Sequence, residues 1–374
     1  MTANDVLASK VLIVRPSGAA AFGITPQQRL EKLAHRQKLT VTDSVTDADV
    51  ILRGDHVYGA NLFNTLITAT PGTVLVDDTG QALAARVDAG SRDWAMALLD
   101  TEAPGRDLPD GAIAIDASTL AGRHNIMLRK KLVPLLVPAS DRRMVEKALF
   151  ADSYKGVTDL VTKHVWPPLA LPATRWCALR GITPNQVTMV SAVLVGVTFW
   201  LFWHGYFAAG IVTAWTMTFL DTVDGKLARV TLQSSPFGNI FDHGIDLIHP
   251  PFWYWAWAMG LAATGQALGD GGWTLGVIVV GYILQRVEEG FFKYIFGIQI
   301  HIWQRFDSLF RQITARRNPN LLILMVATIL GAPREGMIAV AVWTLLCFLI
   351  HLARIGQAFV ARQSGPLSSL LTEA

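Results

Sequence analysis

Four aspartates stand close together between two long apolar stretches of the chain. Asp221 and Asp224 are three residues apart, and Asp242 and Asp246 are four residues apart. On helices, each pair would project from one face, one turn apart. The segment 234–238, which contains serine, proline and glycine, predicts a turn between two such helices. Four carboxylates in one space need a positive counterion, and Mg²⁺ and Mn²⁺ prefer oxygen ligands of this kind.

Small residues accompany the first acidic pair. Gly225 and Ala228 follow Asp221 by four and seven residues, so a helix would place them on the same face and let a ligand approach closely. Arg229 borders this face, and a guanidinium group pairs well with phosphate. The residues alone therefore predict a metal-dependent phosphate site carried by two helices.

The complete pattern D-x2-D-G-x2-A-R-x8-G-x3-D-x3-D resembles the signature of the CDP-alcohol phosphotransferases. Enzymes of this family transfer a phosphoalcohol group from a CDP-alcohol to a hydroxyl acceptor and release CMP. The resemblance implies a membrane enzyme of phospholipid biosynthesis, with a CDP-alcohol donor, a lipid or polar alcohol acceptor and a homodimeric assembly. The positions that carry it are Asp221, Asp224, Gly225, Ala228, Arg229, Gly238, Asp242 and Asp246.

The same resemblance implies a role for each of these residues. The four aspartates would hold two Mg²⁺ or Mn²⁺ ions, and Asp246 would also act as the general base on the acceptor hydroxyl. A Thr-Pro-Asn sequence at 183–185, usual in the family at this point, predicts a capped helix start with its Asn near the nucleotide. The residues assigned to the CDP and phosphate groups are Asn185, Gly225, Ala228, Arg229 and Gly238.

The acceptor site has a weaker signal in a basic segment further along the chain. Arg305, Arg311, Arg316 and Arg317 precede an apolar run, and basic residues there resemble the acceptor-phosphate pocket of relatives that bind inositol phosphate. We favour Arg316 or Arg317 as acceptor ligands. The alternative is a positively charged cytoplasmic loop without a binding role. His243 resembles a D-H-G-x-D variant of the motif, and we interpret it as a packing residue.

Composition indicates that part of the chain lies in a membrane. Of 374 residues, 51% are hydrophobic and 16% are charged, which is too apolar for an average soluble protein. The net charge of +3 does not suggest nucleic acid as a partner, and two cysteines give no disulfide framework.

Six apolar runs in the second half predict six transmembrane helices. Lysine and arginine concentrate on one side of these runs, which places both termini in the cytoplasm of a multi-pass inner-membrane (cytoplasmic-membrane) protein. The acidic motif then lies at the cytoplasmic ends of the second and third spans. The runs are Val187–Trp203, Tyr206–Leu220, Leu247–Thr264, Trp273–Leu284, Leu321–Ala332 and Met337–Ile350.

Residues 1–140 have the composition of a soluble domain. Short apolar runs at Val11–Val14, Val50–Leu52 and Val74–Val76 alternate with helical or turn-rich stretches, which predicts an α/β domain with a partly parallel sheet. The segment Gly54–Tyr58 resembles the strand-end Asp of sugar-phosphate nucleotidyltransferases, a Rossmann-like fold. The Gly-rich loop and lysine of that group are absent, so we favour a degenerate, non-catalytic domain.

The sequence thus predicts a multidomain protein: an α/β domain at 1–140, a basic amphipathic juxtamembrane segment at 141–182, an all-α membrane domain at 183–364 and a tail at 365–374. Two alternatives remain. The first domain could still make the CDP-alcohol from CTP, which would make the chain bifunctional. The acids could instead form the cation site of a transporter, although ion coordination alone would not require the Gly, Ala and Arg positions of the motif.

Overall fold

The computed structural model describes residues 8–101, 108–116, 124–125, 129–131, 135–234 and 236–372. Within these ranges, the side chains at 124–125, 131, 236–237, 239 and 242–243 are not part of the description. The chain forms two compact units. The first consists of Met1–Asn125, Lys131–Tyr154 and Arg229–Leu232, and the second of Ile126–Lys130, Lys155–Ala228 and Gln233–Ala374.

The first unit is built on a six-stranded mixed sheet with the strand order β2-β1-β3-β6-β5-β7. Strand β1 is parallel to β2 and β3, β6 is antiparallel to both β3 and β5, and β5 is parallel to β7. The strands of the chain are β1 (Lys10–Val14), β2 (Thr40–Thr42), β3 (Val50–Arg53), β4 (His56–Tyr58), β5 (Thr73–Val76), β6 (Ala82–Arg86), β7 (Ile113–Asp116), β8 (His124–Asn125), β9 (Lys130–Lys131) and β10 (Leu136–Pro138).

Helices cover this sheet because its strands are apolar. Every residue of β3 and β6 is buried, as expected for central strands that are covered on both faces. Helix α1 begins with a capping box, in which Thr25 and Gln28 satisfy each other's backbone amides, and with Pro26 at its first position. The predicted α/β class is confirmed. The helices are α1 (Pro26–Arg36), α2 (Ala60–Ile67), α3 (Arg92–Leu99) and α4 (Arg142–Asp152).

The second unit is helical. Its core contains the buried side chains of Phe202, Trp257 and Met337, and the indole of Trp257 donates to the Pro333 carbonyl oxygen at 3.1 Å. The helices are α5 (Pro167–Leu179), α6 (Pro184–Trp203), α7 (Phe207–Val230), α8 (Pro236–Ala263), α9 (Trp273–Phe296), α10 (Arg305–Phe310), α11 (Arg317–Ile329) and α12 (Pro333–Arg362).

Each of the six apolar runs lies within or largely within one of these helices. Among the helices that the structure describes, α6 and α12 are long and apolar enough to cross a membrane. Helix α11 has 13 residues and is therefore about 20 Å long, shorter than a hydrocarbon core of about 30 Å. The count of six spans therefore stays a prediction.

The turn predicted at 234–238 lies earlier in the chain, between the end of α7 at Val230 and the start of α8 at Pro236. Helix α8 begins at Pro236, so Gly238 lies in its first turn. Proline is tolerated at this position because its missing N–H would have no partner inside the helix. Helix α8 continues without a break through Pro250 and Pro251. The same helix therefore contains both the end of the acidic motif and the predicted third apolar run.

A close approach of α8 to the end of α6 depends on Gly260. A Cβ atom at this position would lie 2.0 Å from the Phe202 carbonyl oxygen and 3.0 Å from the Gly205 backbone nitrogen. We predict that Gly260→Ala lowers stability by about 1–3 kcal/mol or more, because rigid backbone must move. Thermal unfolding of the purified protein in detergent measures this change.

The matched control is Gly290→Ala, since a Cβ atom at Gly290 of α9 meets nothing within 4 Å outside the backbone of its own helix. Alanine there is favoured over glycine by about 1 kcal/mol in helix propensity, so the unfolding temperature should stay the same or rise. Equal unfolding temperatures for the two variants would show that the α6–α8 approach is not as close as described.

Candidate functional site

Helix α7 carries the first two aspartates on one face, and α6 supports the deeper one. Asp224 is only 3% exposed, and its Oδ2 accepts a hydrogen bond from the Thr188 hydroxyl at 2.6 Å. Its Oδ1 is buried and has no hydrogen-bond partner among the residues that the structure describes. Burying a carboxylate oxygen without a partner is costly, so Asp224 fits the role of a cation ligand.

A single guanidinium group joins the acids of α7 and α8. Arg317, the first residue of α11, donates through one terminal nitrogen to Asp221 Oδ2 at 2.6 Å and through the other to Asp246 Oδ1. The Arg317 side chain is 15% exposed and that of Asp246 is 40% exposed. The predicted convergence of the two acidic pairs is therefore seen for Asp221 and Asp246, which lie within reach of one arginine.

The backbone of Asp242 lies in α8 one turn before Asp246, but its side chain, like that of His243, lies outside the described residues. In the part of the chain that is described, no three His, Cys, Asp or Glu side chains form a group able to hold a metal ion. The four-aspartate ligand set therefore stays a prediction, which the bare Asp224 oxygen supports.

The predicted nucleotide-binding residues lie along α6, α7 and α8. Gly225 and Ala228 are half-buried on α7, and Arg229 is in the last turn of the same helix. Asn185 is exposed in the first turn of α6, one turn before Thr188, which contacts Asp224. The α6 start is capped by Thr183 as predicted. Gly238 lies in the first turn of α8.

Arg316 belongs to a second charged group beside the first. Its guanidinium donates to Glu289 Oε1, which also lies 3.2 Å from His301 Nε2 and 3.4 Å from an Arg286 nitrogen. Electrostatic interactions connect these residues with Arg129, Asp159 and Arg311, which lie in the juxtamembrane and loop segments. We call the whole set the guanidinium cluster: Arg129, Arg286, Arg311, Arg316, Glu289, His301 and Asp159.

The guanidinium cluster contains four arginines and two carboxylates among the described residues. Arg311 is 7% exposed, and its Nε and one terminal nitrogen have no hydrogen-bond partner in the described part of the chain. Burial lowers the pKa of Arg311 well below its ordinary value, and the positive charges of Arg316 and Arg129 lower it further. Burial likewise lowers the pKa of Arg129 to about 10. Excess buried positive charge with unused donors is the property of an anion site.

The C-terminal segment holds the loop that carries His301. The Ser369 hydroxyl and the Leu370 amide both donate to the Ile302 carbonyl oxygen, each at 2.9 Å. Leu371 is buried against Ile302 and Val157. This packing keeps the His301 ring in place beside Glu289.

The sequence carries a signal for some residues of these two groups and none for others. Thr188 belongs to no sequence motif, and its role is visible only because α6 packs next to Asp224 of α7. Glu289 and Arg286 have a signal, since ionisable residues in an apolar helix must face a partner or a cavity. The contact of His301 with Glu289 is a tertiary feature that no sequence pattern indicates.

The residues of the first unit that resemble a nucleotidyltransferase site are engaged with protein groups. Asp55 pairs with Arg53 and lies 2.7 Å from His56 Nδ1. Although burial opposes it, hydrogen bonds from His56 and Arg53 hold the pKa of Asp55 well below its usual range. In the loop after β1, Gly18 has φ +108°, and a Cβ atom there would lie 2.5 Å from Ala139 Cβ. The Ala19 amide donates to the Ala139 carbonyl oxygen.

One segment of the helical unit matches a known protein family. Residues 181–310 match the family model described as CDP-alcohol phosphatidyltransferase. The chain carries a CDP-alcohol phosphatidyltransferase domain. The match includes all four aspartates of the motif and, from the guanidinium cluster, Arg286, Glu289 and His301, and it agrees with the resemblance carried by the Asp221–Asp246 pattern.

Two curated relatives are similar to part of this chain. The bifunctional IPC transferase and DIPP synthase of Rubrobacter xylanophilus is 27% identical over 208 residues, which are 53% of this chain and 43% of the relative. The archaetidylinositol phosphate synthase of Pyrococcus horikoshii is 28% identical over 176 residues, which are 46% of this chain and 82% of the relative. The chain thus spans less than half the length of the first relative.

Solved structures of the phosphatidylinositol phosphate synthase of Mycobacterium tuberculosis are also similar to this chain. The complex with manganese and citrate has 18% identity and a TM-score of 0.41, over 50% of this chain and 89% of that one. The complex with CDP-DAG has 19% identity and a TM-score of 0.37, over 50% and 94% of the two chains.

Proposed function

We propose that this protein is a membrane CDP-alcohol phosphotransferase of phospholipid biosynthesis, which transfers a phosphoalcohol group from a CDP-alcohol to a hydroxyl acceptor and releases CMP. The observation that carries this proposal is the meeting of Asp221 and Asp246 on one guanidinium group, within the segment that matches the family model. Acids so close together suit the concentrated positive charge that phosphoryl transfer requires.

The aspartates would hold the cations. In this proposal Asp221, Asp224, Asp242 and Asp246 bind two Mg²⁺ or Mn²⁺ ions. Asp224 Oδ1, which has no hydrogen-bond partner among the described residues, is a fitting ligand. Bound cations would neutralise negative charge on the phosphates of the donor. Thr188 orients the Asp224 carboxylate through its hydrogen bond, so one oxygen is held while the other stays available.

Asp246 is the proposed general base. Its side chain is 40% exposed, more than twice the 17% of Asp221, so an acceptor hydroxyl can reach it. A carboxylate within hydrogen-bond reach of that hydroxyl can take its proton as the new bond to phosphorus forms. Gly225, Ala228 and Gly238 would leave room for the CDP group, and Arg229 and Asn185 would contact its phosphates.

We propose that the guanidinium cluster binds a phosphate group on the acceptor, which would then be an alcohol phosphate of the inositol phosphate type. Four arginines stand against two carboxylates there, and buried Arg311 has unused donors among the described residues. Arg316 and Arg317 are consecutive, and their side chains extend to Glu289 and to the aspartates respectively. The acceptor phosphate would thus bind one residue away from the reacting groups. The inositol phosphate compound in the name of the archaetidylinositol phosphate synthase supports this class.

The proposed setting is the cytoplasmic membrane. Six membrane helices with both termini in the cytoplasm would place the acids where a soluble nucleotide and a membrane lipid can meet, and a homodimer would follow the resembled family. Two helices, α6 and α12, support this setting by length and composition.

For the first unit we propose a structural role. The loop after β1 packs against Ala139, and Asp55 is held by Arg53 and His56, which leaves little of a nucleotide site. We also propose the domain boundaries given above, which separate the α/β domain, the juxtamembrane segment, the membrane domain and the tail after residues 140, 182 and 364. The bifunctional alternative predicts that the chain also releases pyrophosphate from CTP and inositol phosphate, and the transporter alternative predicts ion flux without nucleotide.

We predict that Asp246→Asn lowers the rate of CMP release by roughly a hundredfold or more, because the amide cannot accept the acceptor proton. Purified full-length protein in detergent is assayed with Mn²⁺ and with pairs of CDP-diacylglycerol or CDP-inositol and inositol phosphate or a lipid alcohol. CMP is measured by chromatography.

Glu335→Gln is the matched control, since it removes the charge of a 64% exposed carboxylate outside the site and should leave the rate unchanged. Full activity of a folded Asp246→Asn variant would contradict the proposed role of Asp246. Pyrophosphate release from CTP in the same assay would favour the bifunctional alternative.

We predict that Arg311→Met raises the KM for a phosphate-bearing acceptor about tenfold or more and changes kcat less, because a charged hydrogen bond contributes about 1.5–3 kcal/mol. The control is Arg305→Met, which removes an exposed arginine from the same segment. A KM that rises equally in both variants, or in neither, would show that the buried arginines do not bind the acceptor phosphate.

A further inference from the structure

We propose that Arg317 is an internal competitor of the divalent cation, and that its release couples cation binding to the binding of a phosphate anion. This inference rests on the proposed function for the identity of the cation site. It adds an order to the reaction: the aspartates exchange their arginine for a cation, and the arginine then becomes available to a phosphate.

Arg317 is fully committed to the aspartates. One terminal nitrogen binds Asp221 Oδ2 at 2.6 Å and the other binds Asp246 Oδ1, so the fork of the guanidinium is used on both sides. Its charge is permanent, because arginine stays protonated at physiological pH. The bridge also ties α11 to α7 and α8, since the three residues come from three different helices.

The bridge and a bound cation would compete for the same two carboxylate groups. Asp221 and Asp246 are the described acids that α7 and α8 bring together, and each gives one oxygen to Arg317. A divalent cation at those oxygens would stand next to a buried positive charge, which is strongly unfavourable at short distance. Arg317 must therefore leave Asp221 and Asp246 before these residues can act as cation ligands.

Few of the described groups near Arg317 could pair with its charge once it has left the aspartates. Its stem lines a small, mostly apolar cavity with Trp253, Leu321 and Leu324, so a retreat into that cavity would leave its charge without compensation. Within electrostatic range lies His249, whose Nδ1 is 2.7 Å from the Ile245 carbonyl oxygen and which offers no negative charge. On the other side, Arg316 leads into the guanidinium cluster, which already has excess positive charge.

Asp159 also lies within electrostatic range of Arg317, but its Oδ1 already accepts hydrogen bonds from the Thr162 amide and from Asn318. The favourable new partner is therefore an anion brought in by the substrate. Before a cation binds, Arg317 is paired with the aspartates. After cation binding, a phosphate between Arg317 and the guanidinium cluster could also pair with Arg317. Because coupling between two sites is reciprocal, the phosphate must raise the affinity for the cation by the same factor. Asp159, held by Thr162 and Asn318 amides, stays a fixed negative charge throughout.

The test measures binding without turnover, in purified full-length protein in detergent. Mn²⁺ binding is followed by electron paramagnetic resonance and inorganic phosphate binding by calorimetry, each with and without the other ligand. We expect saturating Mn²⁺ to tighten phosphate binding at least fivefold in the unchanged protein. In Arg317→Gln, Mn²⁺ should bind at least tenfold tighter, because its competitor is gone, and the coupling factor should fall towards one.

Arg317→Lys is the second variant, and it keeps the charge but loses the fork, so Mn²⁺ affinity should lie between the other two. Arg305→Gln is the control and should leave Mn²⁺ affinity and coupling unchanged. Thermal unfolding establishes that each variant is folded, and if Arg317→Gln is not, Arg317→Lys alone decides. Mn²⁺ affinity that is equal or weaker in the folded variants, or coupling that persists in them, would overturn the inference.

These results separate the inference from the proposed function. Tighter Mn²⁺ binding in Arg317→Gln, together with no CMP release from any donor by the unchanged protein, would support the cation competition and refute the phosphotransferase. CMP release by the unchanged protein, together with unchanged Mn²⁺ affinity in the Arg317 variants, would support the phosphotransferase and refute the cation competition. An unchanged protein and variants that all bind no Mn²⁺ would overturn the inference outright.

Discussion

The bridge from Arg317 to Asp221 and Asp246 is the interaction that brings three helices together at the site. These two acids come from the end of α7 and the first half of α8, and they would repel each other without a positive charge between them. Because the arginine starts α11, the same contact also fixes where that helix enters the bundle. A charge constraint thus sets the arrangement of three helices around the site.

An acidic group and a basic group lie next to each other in the site, because the consecutive residues Arg316 and Arg317 contact one group each. On one side are aspartates, among which Asp224 keeps an oxygen without a partner in the described part of the chain. On the other side the guanidinium cluster holds more arginines than carboxylates, and burial with few hydrogen bonds makes Arg311 a strong potential donor to an anion. A cation and a phosphate are the ligands that would complete the two groups.

The local features of the chain could be predicted from its sequence, and the long-range contacts could not. The strands at Val11, Val50 and Val74, the cap at Thr183 and the acidic motif each follow from a short pattern. Arg317 was a candidate, but its partners lie 71 and 96 residues away, and no spacing rule connects them. The same holds for Thr188 and Asp224, and for His301 and Glu289, whose contacts arise from helix packing.

The central claim is that the cation site and the guanidinium cluster together select the reaction. Its most direct test is a screen of CMP release by the full-length protein, with each CDP-alcohol paired with an alcohol and with the phosphate ester of the same alcohol. The account predicts CMP release that requires Mg²⁺ or Mn²⁺ and is much faster with the phosphate ester, inositol phosphate above all. Equal rates with inositol and inositol phosphate, or CMP release that persists after removal of divalent cations, would contradict it.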